Sequence, residues 1–175
     1  MIMDILENKT AWQEHFRQNW LAELKQTGAT NWKIYQHPRN EYVPGAPGIE
    51  LSDSRLMLIT SAGAYLRGDQ QPFDEPNLYG DYTLRTFPSS TPFSALAYAH
   101  GHYDTTMVQQ DAQVGLPLRH LEEMVAAGQL GELAPTVVSF MGYQPDSAKT
   151  VEDFIPQVVA LAKEQAIHAA LLAPV

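Results

Sequence analysis

Arg55-Leu56-Met57-Leu58-Ile59-Thr60-Ser61 runs without interruption into Ala62-Gly63-Ala64, and the reading of this stretch decides the fold. An unbroken apolar run between polar ends is the pattern of a strand buried on both faces, and Ala-Gly-Ala after it is the strand-to-loop transition of a βα unit. Outward from it, Tyr82 to Phe87 alternates as a second strand ended by Pro88, and Ala95 to His100 reads as a short third strand. Leu133 to Phe140 supplies a fourth through Thr136-Val137-Val138, and the apolar run at Ala166 to Val175 a fifth. Pro117 to Ala127 is patterned as a helix, with Leu118, Leu121, Met124 and Val125 on one face and Gly128 closing it. Ser147 to Gln165 is a second, with Val151, Phe154, Ile155, Val158, Val159 and Leu161 apolar and Pro156 as an irregularity. Strands alternating with helices imply an α/β fold: a mostly parallel, Rossmann-like three-layer sheet covered on both faces.

The first third is different. Ala11 to Thr27 places Trp12, Phe16, Trp20, Leu21 and Leu24 on one helical stripe, with Gly28 as a stop signal. Thr30 to Gly48 is rich in turn formers (Pro38, Pro44, Gly45, Pro47, Gly48), so this extra N-terminal helix reaches the core through an extended arm. The chain therefore divides into residues 1–48, helix and arm, and residues 49–175, the α/β domain. The Trp12 and Trp20 face either packs on its own domain or docks on another copy, which makes a homo-oligomer one expectation.

Composition narrows the function classes. At 175 residues, 45% apolar and 18% charged, the chain suits one globular domain. A net charge of -9 offers no basic stripe for a phosphate backbone or anionic lipid, so neither nucleic acid nor a membrane is an expected partner. Asp4 and Glu7 stand where a secretory leader would carry its basic residues, and no apolar run approaches the roughly 18 residues a span needs, so a soluble cytoplasmic protein is expected. Cysteine is absent, which excludes a disulfide framework, Cys-ligated zinc and a thiol nucleophile within these residues.

The densest polar constellation is His100-Gly101-His102-Tyr103-Asp104-Thr105-Thr106, followed by Asp111, where a strand gives way to a loop. His100, His102 and Asp104 could ligate zinc or iron, because neutral imidazoles and a hard oxygen suit both. They could equally act as general acids or bases. The structural alternative is a strand-ending His100 with a satisfied hydrogen bond and an Asp104 that caps the next turn through Thr105 and Thr106. Thr60-Ser61-Ala62-Gly63-Ala64 could cradle an anion with backbone amides, although it lacks the glycine pattern of a dinucleotide or phosphate loop. Ser139-Phe140-Met141-Gly142-Tyr143 ends another strand, with Met and Phe as pocket wall or core. Arg85 and Arg119 are candidate carboxylate clamps.

In combination and order, several segments resemble one known family. They are Leu56 to Gly63, Gly80-Asp81 with Arg85 to Pro88, His100 with Tyr103 to Thr106, Asp111, Pro117 to Leu121, Leu130 to Ala134, and Ser139 to Gly142. The run from about Gly48 to Val175 resembles the selenoprotein B family of glycine, sarcosine, betaine and D-proline reductases. The resemblance implies that the strand ending at Val175 leads into a reactive cysteine or selenocysteine, so the chain is expected to be cut just before its nucleophile and to be inactive as it stands. It implies catalytic roles for His100 and Asp104, and a substrate pocket from Thr60, Ser61, Gly63, Thr105, Thr106, Asp111, Met141 and Gly142, with no metal. The expected activity is selenol- or thiol-dependent reduction of a small molecule, with a thiol redox protein as partner. The extra N-terminal helix lies outside the resemblance. The other two readings are a metal-dependent hydrolase built on His100, His102 and Asp104, and a non-catalytic binding module.

Overall fold

A computed structural model describes residues 5–42, 45, 48–101 and 103–175. The expected first strand forms as β1 (Arg55–Thr60), and Met57, Leu58 and Thr60 are wholly shielded from solvent. On one edge β1 pairs in parallel with β7 (Ala169–Ala173), from Leu56↔Ala169 to Thr60↔Ala173. On its other edge it meets β5 (Glu132–Leu133) at Arg55 and Leu56, then β6 (Thr136–Ser139) at Ile59 and Thr60, again in parallel. The outer strand beyond β6 is β3 (Arg85–Pro88), which runs antiparallel to it. The result is a mixed α/β fold with a mostly parallel main sheet.

Two expected strands change place. The second, read as Tyr82 to Phe87, shortens to β3 and reverses direction. The third, read as Ala95 to His100, contracts to β4 (Leu96–Tyr98) and leaves the main sheet to pair antiparallel with β2 (Ala64–Leu66). The cause is local. Gly63 takes φ +66°, which turns the chain back immediately after β1, and a Cβ there would sit 2.3 Å from the Ala99 carbonyl oxygen. Only glycine permits both that angle and that approach.

Each face of β1 has its own core. Leu56 and Leu58 pack with Phe87, Leu96, Leu116 and Val137 and with Leu118 and Leu121 of α4 (Leu118–Ala126). Met57 and Ile59 pack with Ala134 and Val138 and with Val158, Leu161 and Ala162 of α6 (Ile155–Glu164). Alternate residues of one strand thus feed two cores, as the period of two requires. The helix expected over Ser147–Gln165 is one run: α5 (Ser147–Lys149), a π turn over Thr150–Phe154, then α6. Pro156 cannot donate to the carbonyl four residues back, and the widened turn just before it absorbs that missing bond.

The N-terminal helix breaks at Asn19 into α1 (Lys9–Gln18) and α2 (Trp20–Thr27), with Gly28 closing the second at φ 69°. Trp12, Phe16 and Trp20 stack in series, with ring centroids 5.2 and 5.4 Å apart. Ala148 and Val151 from α5 and the π turn complete this cluster, the Tyr35 hydroxyl donates to the Pro145 carbonyl at 2.8 Å, and Trp32 sets its edge against Tyr143. The described part of the arm therefore wraps the α/β domain. The loop before β3 is gathered by Asp81, which accepts from the Asp74 and Thr83 amides at 2.9 and 2.8 Å. Burial pushes the Asp81 carboxyl up, but the Thr83 and Asp74 hydrogen bonds and the Arg85 charge together outweigh it and hold the group below the usual range.

Two outcomes follow. Leu58→Ala should cost about 2–5 kcal/mol in chemical denaturation, because it opens a cavity where β1 meets α4. Asp81 contributes stability that is complete above the ordinary aspartate value of about 3.9 and is lost as pH falls through its lower folded value. The stability difference between the native protein and Asp81→Asn should therefore be constant near neutrality and vanish in acid.

Candidate active site at the carboxyl ends of the parallel strands

Three strands deliver their carboxyl ends to one place. The Ser61 amide donates to the Ala173 carbonyl at 3.2 Å, and the Phe140 amide to the Thr60 carbonyl at 3.0 Å. The Val175 amide donates to Ser61 Oγ at 3.0 Å. The crevice beyond the carboxyl ends of parallel strands is where open α/β sheets hold their ligands.

His100 stands over this junction, 6% exposed, at the end of the segment that follows β4. The Gly142 amide lies between two acceptors, His100 Nε2 at 3.1 Å and the Ser61 carbonyl at 3.2 Å. A backbone amide can only donate, so Nε2 carries a lone pair, and neutral His100 holds its proton on Nδ1. Gly142 has to be small: a Cβ there would lie 3.1 Å from Ser61 Cβ and 3.2 Å from His100 Nε2. Tyr103 sets its ring edge against the His100 imidazole at 4.7 Å and donates its hydroxyl to the Ala62 carbonyl at 3.1 Å. Burial, with a smaller push from Tyr98, raises the Tyr103 phenol to about 12, so it remains a donor at neutral pH.

Asp104 is exposed, and its Oδ1 accepts from the Thr106 amide at 2.9 Å and the Thr106 hydroxyl at 2.6 Å. Those two bonds hold its carboxyl below the usual range, so it is a fixed anion at neutral pH. Thr105 Oγ1 accepts from the Gln109 amide nitrogen, and Asp111 Oδ1 accepts from the Gln113 backbone amide, capping a 3-10 turn over Ala112–Val114.

The remaining expected site residues divide between junction and core. Ser61 and Gly142 line the junction. Thr60 is buried, and its hydroxyl accepts from the Ala62 amide at 3.2 Å. The Gly63 amide donates to the Phe140 carbonyl at 2.9 Å. The amides of Ser61, Ala62 and Gly63 are therefore all spent inside the protein, and none remains to cradle an anion. Met141 is fully buried against Phe73, Ala99 and Tyr143, which makes it core rather than wall.

Both arginines are structural. Arg85 donates to the Gln71 and Pro72 carbonyls and to Thr83 Oγ1, and its guanidinium lies 4.4 Å from the Phe73 ring centroid. Arg119 pairs with Glu122 and reaches the Ser89 and Thr91 carbonyls. His102 lies outside the described residues, and among those described no three His, Asp or Glu side chains are gathered for a metal ion.

Two residues at the junction were not singled out by spacing. Tyr103 carried a signal, since an aromatic three residues after a strand-ending His can return to its ring. Gly115 carried none: its need for smallness comes from Val175 Cγ1 and Ala62 Cβ, 3.2 and 3.3 Å from where a Cβ would be.

The model of the glycine/sarcosine/betaine reductase selenoprotein B family matches residues 22–174. The chain belongs to this family. The match begins inside α2, upstream of the Gly48 boundary that the shared segments suggested. The D-proline reductase subunit gamma of Acetoanaerobium sticklandii is 30% identical over 123 residues, covering 70% of this chain and 49% of that protein. The glycine reductase complex component B subunit gamma of Carboxydothermus hydrogenoformans is 32% identical over 99 residues, 55% of this chain and 22% of that one. Its counterpart in Peptoclostridium acidaminophilum is 26% identical over 122 residues, 67% and 28%. The chain thus spans about half or less of the curated relatives it matches. No solved structure gives a significant match. No helix among the described residues is long and apolar enough to cross a membrane.

The Gly142 contact predicts a spectrum. Long-range proton–nitrogen NMR should show His100 Nε2 unprotonated and Nδ1 protonated at neutral pH. Gly142→Ala should perturb that ring and cost about 1–3 kcal/mol, because the added methyl overpacks the junction.

Proposed function

We propose that this chain forms the scaffold of a reductase site in which a cysteine or selenocysteine following Val175 acts on a small-molecule substrate, with a thiol redox protein supplying electrons. One observation carries the reading: the Val175 amide on Ser61 Oγ brings the end of β7 into the junction that holds His100, Tyr103 and Gly142. The residues present fit such a group. Gly115 and Gly142 let their backbones close onto Val175 and Ser61, Ser61 anchors the incoming strand, and the Tyr103 phenol stands in as a protonated neighbour. The selenol or thiol would supply a nucleophile for reductive cleavage, with the selenol ionised at neutral pH where an ordinary thiol, near 8.5, mostly is not.

The chain's own residues take distinct roles in this proposal. His100 is a positioning residue, because its Nε2 lone pair fixes the Gly142 amide. Asp104, ionised and held by Thr106, offers a fixed negative charge to a cationic substrate group. Thr105 and Asp111 shape the loop on the substrate side. The main sheet, with cores on both faces, serves as a Rossmann-like three-layer frame. A cytoplasmic setting suits the chemistry, since a reducing compartment keeps a thiol or selenol available.

The test lies in the nucleotide sequence after the Val175 codon. A cysteine codon or an in-frame stop codon, followed by further α/β patterning, is the expected result. Unrelated sequence there would overturn the proposal. In the full-length enzyme, Asp104→Asn should lower kcat/KM about tenfold with the fold intact, the loss of one charge-assisted contact.

A further inference from the structure

A second cleft lies along the small sheet, and its geometry follows from register. In the β2–β4 pair, the Ala99 amide donates to the Gly63 carbonyl at 3.0 Å and the Arg67 amide to the Ala95 carbonyl at 2.9 Å. These bonds put the hydrogen-bonded positions on the odd residues, so the amides and carbonyls of Leu96 and Tyr98 point away from β2. Leu96 is satisfied on that side: its amide bonds the Phe93 carbonyl, and its carbonyl accepts from Arg67 Nη2 at 3.1 Å. The Tyr98 amide and carbonyl meet no partner among the described residues.

Both strands line a groove of ≈ 740 Å³ that runs past Tyr98, with α3 (Thr106–Gln110) and the start of the 3-10 turn Ala112–Val114 as its other wall. This lies within the range of about 300–1,000 Å³ that ligand sites occupy. Tyr65, Phe93 and Tyr98 give it aromatic surface, and Arg67, Gln109 and Asp111 give it polar groups. The Tyr98 hydroxyl is buried without a hydrogen-bond partner among the described residues, and burial raises that phenol to about 12, so it keeps its proton. Arg67 is exposed and spends one side-chain donor on Leu96, which leaves the rest of its guanidinium fork uncommitted.

We propose that this groove binds an extended, carboxylate-bearing polypeptide segment of a partner protein, which adds a third strand to the β2–β4 pair through the Tyr98 amide and carbonyl. The occupant is a polypeptide because the free groups are one main-chain donor and one main-chain acceptor on a strand edge, the complement of another strand. It carries a carboxylate where it meets Arg67, whose remaining donors are uncommitted, while Asp111 on the opposite wall has one oxygen engaged by the Gln113 amide. A two-stranded antiparallel pair is marginal alone, and a third strand between β4 and α3 completes it. Tyr98 precedes His100 by two residues, so a segment seated there passes beside the strand-end junction. The inference rests on the β4 edge and not on the redox reading, and its test measures binding rather than turnover.

The probe is an acetylated, amidated peptide of alternating Thr and Val with a central Glu, titrated into the folded chain. Hydrogen exchange at the Tyr98 amide should slow as the peptide saturates, and N-methylation of alternate peptide amides should abolish the effect. Arg67→Glu, at an exposed position, should weaken the Glu peptide about tenfold and favour a Lys-bearing counterpart. Unchanged Tyr98 exchange at about 1 mM peptide, equal effects of the N-methylated peptide, or an unaltered charge preference in Arg67→Glu would each overturn the proposal.

Discussion

Ser61 ties the carboxyl ends of three strands together, and the rest of the junction depends on it. Its amide reaches β7 at the Ala173 carbonyl, its carbonyl receives the Gly142 amide that follows β6, and its hydroxyl receives the Val175 amide. A residue 9% exposed has little water to fall back on, so each of these groups must find its partner within the protein. One residue past the end of β1 therefore sets where β6 and β7 finish. The positions of His100 and Tyr103 follow, since both lean on backbone that Ser61 or its neighbour Ala62 fixes.

The two faces of β1 are unequally covered, and this bears on which parts hold firm. On the α4 side Leu116, Leu118 and Leu121 are buried. On the α6 side no residue of the helix is fully buried, and Val159 on α6 and Leu172 on β7 are 42% and 67% exposed. Opening free energy follows buried apolar contact, so α6 and the β7 edge belong to the less stable end of the domain and the α4 face to the more stable. The junction sits between them, anchored through β1 and β6 and receiving β7.

Much of this was legible in the sequence, for reasons that can be named. β1, β6, β7 and α4 announce themselves because continuous apolar runs and a three-to-four spacing report local burial directly. The direction of β3 and the departure of β4 were not legible, because Thr86 pairing with Val138 and Tyr65 with Ala97 are choices of tertiary partner that leave no trace in local pattern. The break at Asn19 was hidden for a similar reason: the Trp12, Phe16 and Trp20 stripe continues across it. At the site, the His100 segment stood out by residue type, and of the two amides expected to cap on Asp104 the structure shows that of Thr106, joined by the Thr106 hydroxyl. The acceptor role of His100 Nε2 could not be read, since it depends on an amide 42 residues away.

The protonation pattern of the junction follows from these contacts. Neutral His100 accepts from Gly142 and the Tyr103 phenol donates to Ala62. Charging His100 would set an Nε2 proton against the Gly142 proton, two donors face to face, and the amide would keep only its bond to the Ser61 carbonyl. The Nε2 face of the imidazole is thus tied to the backbone geometry of Gly142. His100, which the sequence left open as metal ligand, acid or base, or satisfied strand-end histidine, holds the Met141-Gly142 backbone against Ser61 in the folded chain.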